Sequence, residues 1–328
     1  MKPNILALLV SVACTASLPA TAQVTGAGST LVRSLMTDWI ARYGAVSGGV
    51  SYTPSGSSAG VKSVSDGSTD FGVTDVPLTA PALKQAQLRQ VPLAATAVAI
   101  FVNVPELAGK RLQLSGDVLA EIYKGNIKEW NHSQIRAINK GLALPATAIV
   151  PVWRADGSGQ SYMFTTYMSR HSASWRRTPG AEARLDLGHG KGVRGGGAMI
   201  AAVKATPGAL GYESIGAVKE AGGLTMASLL NSAGSFVAPT EAGIQEALAQ
   251  AQWDEETHAA DLDGSAGNAS YPIATLSYAL IPQSAIRGRQ SAAPFLSASV
   301  AQGDALSAKN GFVPLPARGK ALAAKASR

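Results

Sequence analysis

Cysteine is all but missing from this 328-residue chain, and Cys14 is the single example. One cysteine closes no disulfide within the chain and builds no cysteine-based metal site. Histidine is scarce too, at four residues. No H-E-x-x-H pair and no carboxylate cluster with ligand spacing accompanies them, so the pattern offers neither a zinc nor a calcium site. Charged residues make up only 15% of the chain, which excludes a coiled coil and a disordered polyelectrolyte. Aromatic residues make up 6% and are not interleaved with basic ones, as single-strand nucleic-acid binders require. No nucleic-acid partner is expected, despite a net charge of +7. No apolar run approaches the roughly 20 residues that span a bilayer. There is no internal repeat and no low-complexity segment.

What is present is a large apolar fraction, 46%, and 35 glycines. That is enough for a sizeable core, and the length suits two domains better than one. Lys2, the short apolar run ILALLVSVA and the small-residue ATA before Gln23 form the three parts of a secretory signal over residues 1–22. The mature chain is therefore expected in the periplasm. Cys14 falls inside that signal, and Ser11 stands where a lipid-attachment site wants an aliphatic residue, so no lipid anchor is expected. Lys2 is the only charged residue in this segment. The remainder carries 27 basic and 21 acidic residues, a net charge of +6. The clearest basic cluster, PARGKALAAKASR at the C-terminus, reads as a solvated helix face or a frayed tail.

Short apolar strands alternate with amphipathic helices, which predicts an α/β fold. STLVRSLMTDWIARYG sets Leu31, Leu35, Met36, Trp39, Ile40 and Tyr43 on one helical face, with Gly44 as the stop. VSYT, DFGVTD and TAIVPVW read as strands. AATAVAIFVNV reads as a long buried strand able to bridge two domains. SGDVLAEIYKG reads as a helix capped by Ser115.

Three joints share one design: VTGAGST, YTPSGSS and VWRADGSGQS. Each runs from a strand, through glycine with Ser or Thr, into a helix. The first turn of a helix has N–H groups without intrahelical partners, and its dipole favours negative charge. Such an end can hold an anion. One joint alone is ordinary capping, but three together, one carrying Arg154, point to an oxyanion site. Arg154 brings a permanent charge and a planar donor fork. Asp156, two residues on, is placed to hold the guanidinium. The two glycines of this joint, Gly157 and Gly159, are expected to leave room for a buried ion.

TGAGST, PSGSSAGVKSVSDGSTDFGVTDVPL, LSGDVLAEIYKGNIKEWN, PVWRADGSGQSYMFTTYM, ATPGALGYES and GFVPLP occur in that order. In this the chain resembles the phosphate-binding subunit of bacterial ABC phosphate importers, over most of its mature length. The resemblance implies a two-lobed fold of the type II periplasmic-binding-protein kind, with a hinge of two crossing segments and a ligand cleft between lobes. It places lobe 1 at residues 23–103 plus 271–328 and lobe 2 at 104–270, with crossings near Asn103 and Tyr271. It implies no enzymatic activity and no cofactor. The partners it implies are inorganic phosphate and an inner-membrane ABC permease, with the binding protein itself a monomer. Carried onto this sequence, the phosphate donors are Thr30, the Leu31 amide, Ser57, Arg154, Ser158, Gly159 and Gln160. Asp75 is the one acceptor, and Asp156 pairs with Arg154. Gln160 stands where the family usually has Thr, so a hydroxyl donor is missing while the backbone amide remains. Leu31 replaces a common Phe, and Ala59 a frequent Gly.

Asp75 gives selectivity a physical basis. Phosphate keeps a proton near neutral pH and can donate it to a carboxylate, whereas sulfate has none to give. Sites built around a required hydrogen bond reject analogues lacking it by roughly 10⁴–10⁵-fold. A binder of another tetrahedral oxyanion, sulfate or molybdate, is the nearest alternative, and the acceptor argues against it. Two more distant readings rest on single motifs. GSSAG, Gly56 to Gly60, matches a serine-hydrolase nucleophile elbow centred on Ser58, which would need a partner among His132, His171, His189 and His258. GKGVRG, Gly190 to Gly195, matches a dinucleotide fingerprint, with Glu213 beyond it. However, the preceding ARLDL is a poor strand, and a glycine-rich helix start explains the run equally well.

Overall fold

The computed structural model describes residues 23–177, 180–262, 267–284 and 290–328. The expected export signal, Cys14 included, lies outside them. Among the described residues, nine strands join in one curled sheet, flanked by helices on both faces.

The organising element is Leu88–Val102, LRQVPLAATAVAIFV, a strand buried along almost all of its length. Its apolar run does not alternate because both faces are covered. Residues 88–97 pair antiparallel with Ala274–Pro282, and 98–102 pair antiparallel with Ala209–Ser214. The partner changes between Ala97 and Val98, so one strand joins the two halves of the sheet. Beyond Ala274–Pro282 lie Phe71–Thr74, Val24–Gly28 and Val50–Pro54, the last three mutually parallel. Beyond Ala209–Ser214 lie Val150–Arg154 and Lys191–Val193, again parallel. Asn103, just past the strand's end, donates its backbone N–H to Ala209 O (2.9 Å). Tyr271 ties its segment to the long strand, its hydroxyl donating to Val98 O (3.1 Å).

A bulge sits at Ser277/Tyr278, opposite Ala94 and Pro92. Proline cannot donate to a ladder, and bulges are where strands tolerate it. The helices Arg33–Tyr43, Ser57–Ser65, Gly116–Tyr123 and Gly159–His171 follow the expected segments. Ser115 caps the third, accepting from Val118 N (3.3 Å). Gly44 does not end its helix abruptly. The chain tightens into a 3₁₀ turn, Gly44–Ser47, and stops at left-handed Gly48. The basic C-terminus is no frayed tail: Ala317–Ala326 buries Leu322, Ala323 and Ala326, and Lys320 pairs outward with Asp304 (2.6 Å). Among the described residues, no helix is long and apolar enough to cross a membrane.

In both halves the carboxyl ends of the parallel strands face each other, which is where open α/β sheets bind ligands. Ser29, Ser57 and Asp75 follow strands of the first half, and Arg154 and Glu213 end strands of the second.

Candidate anion-binding site

The first wall is built around Asp75, which is 1% exposed. Its Oδ2 accepts from Ser29 Oγ (2.6 Å) and Ser57 Oγ (3.1 Å), and its Oδ1 from Ser277 Oγ (2.7 Å). An ionised carboxylate offers about four lone-pair positions; three are taken and one remains. Burial pushes the Asp75 carboxyl above its usual range, against the pull of the three serines and Arg154. Thr30 and Leu31 lie in the turn just before the helix, which starts at Arg33 rather than at Leu31. The Leu31 N–H donates to Ser29 Oγ (3.1 Å). Ser57 opens its helix after Gly56, whose φ of 98° suits glycine.

The second wall is the Arg154 joint. The guanidinium grips Asp156 with two parallel bonds, Nε to Oδ1 and Nη2 to Oδ2, each 2.6 Å. The Arg154 side chain is 1% exposed and that of Asp156 19%. Burial opposes charge on both, but the pairing wins: the arginine is held above its usual range and Asp156 below its own. Beneath them Tyr212 accepts from the Arg154 backbone N–H (3.0 Å) and stacks on Phe164 at 4.6 Å. Because its oxygen accepts there, its proton is available to Ser161 Oγ (2.8 Å). Burial pushes the Tyr212 phenol up to about 12, so it stays a neutral prop.

Ser158 caps the next helix, accepting from Ser161 N (3.4 Å). The first intrahelical bond is Tyr162 N to Ser158 O (3.1 Å), which leaves the N–H groups of Gly159 and Gln160 outside the helical ladder. Gln160 turns its side chain inward. Its Oε1 accepts from Arg154 Nη1 (2.8 Å) and Ser158 Oγ (3.2 Å), and its Nε2 donates to Glu213 Oε1. Glu213 is 2% exposed, and its Oε2 has no hydrogen-bond partner. Burial drives its carboxyl upward, against Ser214 N and Arg154 and with Asp75. A cleft of about 230 Å³ reaches this region, lined by Thr30, Leu31, Arg194, Gly195 and Glu213.

The two walls touch. A Cβ on Gly159 would lie 2.7 Å from Asp75 Cβ and 2.8 Å from Ser57 Oγ, and one on Gly157 would lie 2.5 Å from Ser58 Oγ. The missing side chains of these glycines let the two walls meet. Ser29, Ser277, Tyr212 and Glu213 were not expected in the site. Ser29 was the readable one, since it belongs to the first Gly-Ser-Thr joint. Nothing local marks Ser277 or Tyr212, and the sequence around Glu213 offers only its place beyond a dinucleotide-like motif.

The two motif readings find no support in the geometry. Ser58 is exposed on its helix, and the four histidines are engaged elsewhere. His132 caps a helix, His171 packs on Tyr167, and His189 and His258 meet the carbonyls of Tyr123 and Gln90. In GKGVRG the glycine at 192 lies within the strand Lys191–Val193, where a dinucleotide turn should follow the strand. Among the described residues, no cluster of His, Cys, Asp or Glu could hold a metal ion.

Comparison with known proteins agrees with this architecture. The PBP superfamily domain matches residues 14–297. The phosphate-binding protein PstS of Pasteurella multocida is 34% identical over 320 residues, covering 96% of this chain and 92% of its own. The phosphate-binding protein PstS of Haemophilus influenzae is 30% identical, covering 90% and 89%. Among solved structures, the phosphate-binding protein of Stenotrophomonas maltophilia superposes with a TM-score of 0.70 at 19% identity, over 92% of this chain and 93% of its own. The high-affinity periplasmic phosphate-binding protein PfluDING, bound with phosphate, superposes at 0.67 and 18% identity, over 91% and 92%. These structural likenesses give the two-lobed α/β fold, and the sequence likeness over nearly the whole length gives the lineage: the chain belongs to the PBP superfamily and, within it, to the PstS phosphate-binding proteins.

Proposed function

We propose that this protein captures inorganic phosphate between its lobes in the periplasm and delivers it to an inner-membrane ABC permease. Residues 1–22 direct export on this reading. Residues 23–103 with 271–328 form one lobe and 104–270 the other. Thr30, the Leu31 amide and Ser57 donate from the first lobe. Arg154, Ser158 and the amides of Gly159 and Gln160 donate from the second. To serve the ligand, Ser57 turns its proton away from Asp75 and the Leu31 N–H is shared with Ser29. Closure of the lobes on the ion shifts an open–closed equilibrium, and the closed form is what a permease can recognise. The protein acts as a monomer, and no bond is made or broken.

The observation that carries this reading is Asp75. It is buried, holds three hydroxyl donors, keeps one lone-pair position, and faces the wall that carries Arg154. An acceptor there is of use only to an oxyanion that still carries a proton. Sulfate and molybdate carry none near neutral pH and would set a full charge against the carboxylate.

Titration calorimetry on the mature protein, freed of ligand by unfolding and refolding, tests the reading. Phosphate binds, sulfate does not, and Asp75→Asn narrows the gap by admitting sulfate. Equal binding of both ions by the wild type would sink the selectivity argument.

A further inference from the structure

Gln160 has its side chain fixed by chemistry at both ends. Arginine offers only donors, so the atom at Arg154 Nη1 must be the amide oxygen. Glu213 Oε1 already accepts from Ser214 N (2.8 Å), so the group Gln160 presents to it must be the amide NH₂. The carboxamide cannot flip without losing both. It also collects the Ser158 hydroxyl on the same oxygen, at 3.2 Å. That oxygen thus sits on two donors, one charged and one neutral, in the way a ligand oxygen would.

We propose that Gln160 sets the affinity of this site: its carboxamide oxygen, anchored by Glu213 through Nε2, competes with the bound oxyanion for Arg154 Nη1 and Ser158 Oγ. The inference rests on the phosphate-binding reading above. The competitor is internal and present at every encounter. To use every donor of this wall, the ion must therefore displace a made interaction. Of the five guanidinium N–H groups, two are committed to Asp156 and one to Gln160 Oε1, so the ion meets at most two unless Gln160 yields. Glu213 tightens the hold. It is buried, so the bond from Gln160 Nε2 is not weakened by water.

The test is phosphate calorimetry on ligand-stripped wild type, Gln160→Ala and Gln160→Met, with thermal unfolding of each without ligand. Removing the competitor raises phosphate affinity about tenfold, equivalent to about 1.4 kcal/mol. The methionine variant keeps the side-chain length without the carboxamide and reads the same effect should the alanine variant fold poorly. A merely structural role for Gln160 would lower the unfolding temperature and leave affinity unchanged or reduced, and that result overturns the proposal. A cycle with Glu213→Gln tests the anchor. Glu213→Gln alone tightens binding, and in the Gln160→Ala background it adds little. Full additivity would show that Glu213 acts on the ligand directly and would overturn its anchoring role. If wild type and variants alike bind no phosphate, the functional reading itself fails, and the inference falls with it.

Discussion

Gly159→Ala asks whether the contact between the walls belongs to the ligand-holding form. The new methyl would meet Asp75 Cβ at 2.7 Å, Asp75 Oδ2 at 2.8 Å and Ser57 Oγ at 2.8 Å. Neither side yields easily. Asp75 is held by three serines, and Gly159 is the first residue of a 13-residue helix. The lobes must separate by several tenths of an ångström. Overpacking of this kind costs about 1–3 kcal/mol. The strain arises only where the lobes meet, so it falls on the closed form. Phosphate affinity should then drop about 5- to 150-fold, while the ligand-free unfolding temperature changes little. Gly44→Ala is the control. Its methyl finds ordinary contacts, 3.5 Å to Ile40 Cγ2 at the nearest, far from the site, and should add about 0.4–1 kcal/mol of stability without changing affinity. Calorimetry and thermal unfolding on the three proteins decide the matter. A Gly159→Ala variant that binds as tightly as wild type would refute the idea that this closed contact persists around the ion.

Two further outcomes follow from the buried charges. Burial raises the carboxyl of Asp75, so above the ordinary aspartate range the native state holds a proton more tightly than the unfolded chain. Its contribution to stability is complete at low pH and is lost as pH rises through the raised value. Asp75→Asn should therefore be more stable than wild type at neutral pH, with the advantage vanishing on acidification. Urea unfolding across a pH series would show this, and a pH-independent difference would count against it. Asp156→Ala leaves the Arg154 guanidinium buried with Gln160 Oε1 as its remaining side-chain partner. Breaking a buried pair in this way costs about 3–5 kcal/mol, and saturating phosphate should restore part of it. A melting temperature unmoved by the substitution would mean that the pair is not holding the wall.

The parts of the site that were legible in the sequence are those made by neighbours along the chain. Arg154 and Asp156 are two residues apart, and Ser158 caps the helix that begins one residue later. A turn and a cap are local geometry, so glycine, serine and arginine at that spacing announce them. Strand and helix positions were legible for the same reason, since apolar periodicity records which face is buried. The long strand showed itself as an unbroken apolar run covered on both faces.

What the tertiary structure decided is which distant segments meet. Ser277 reaches Asp75 across 202 positions, and Glu213 reaches Gln160 across 53. The partner of the long strand changes between Ala97 and Val98 with no local mark in an apolar run. That the missing side chains of Gly157 and Gly159 leave space for Ser58, Asp75 and Ser57 is likewise written nowhere near them in the chain. Periodicity and capping encode burial and short-range hydrogen bonds. They carry no information about which buried surface lies opposite, because that depends on how the whole sheet curls and closes.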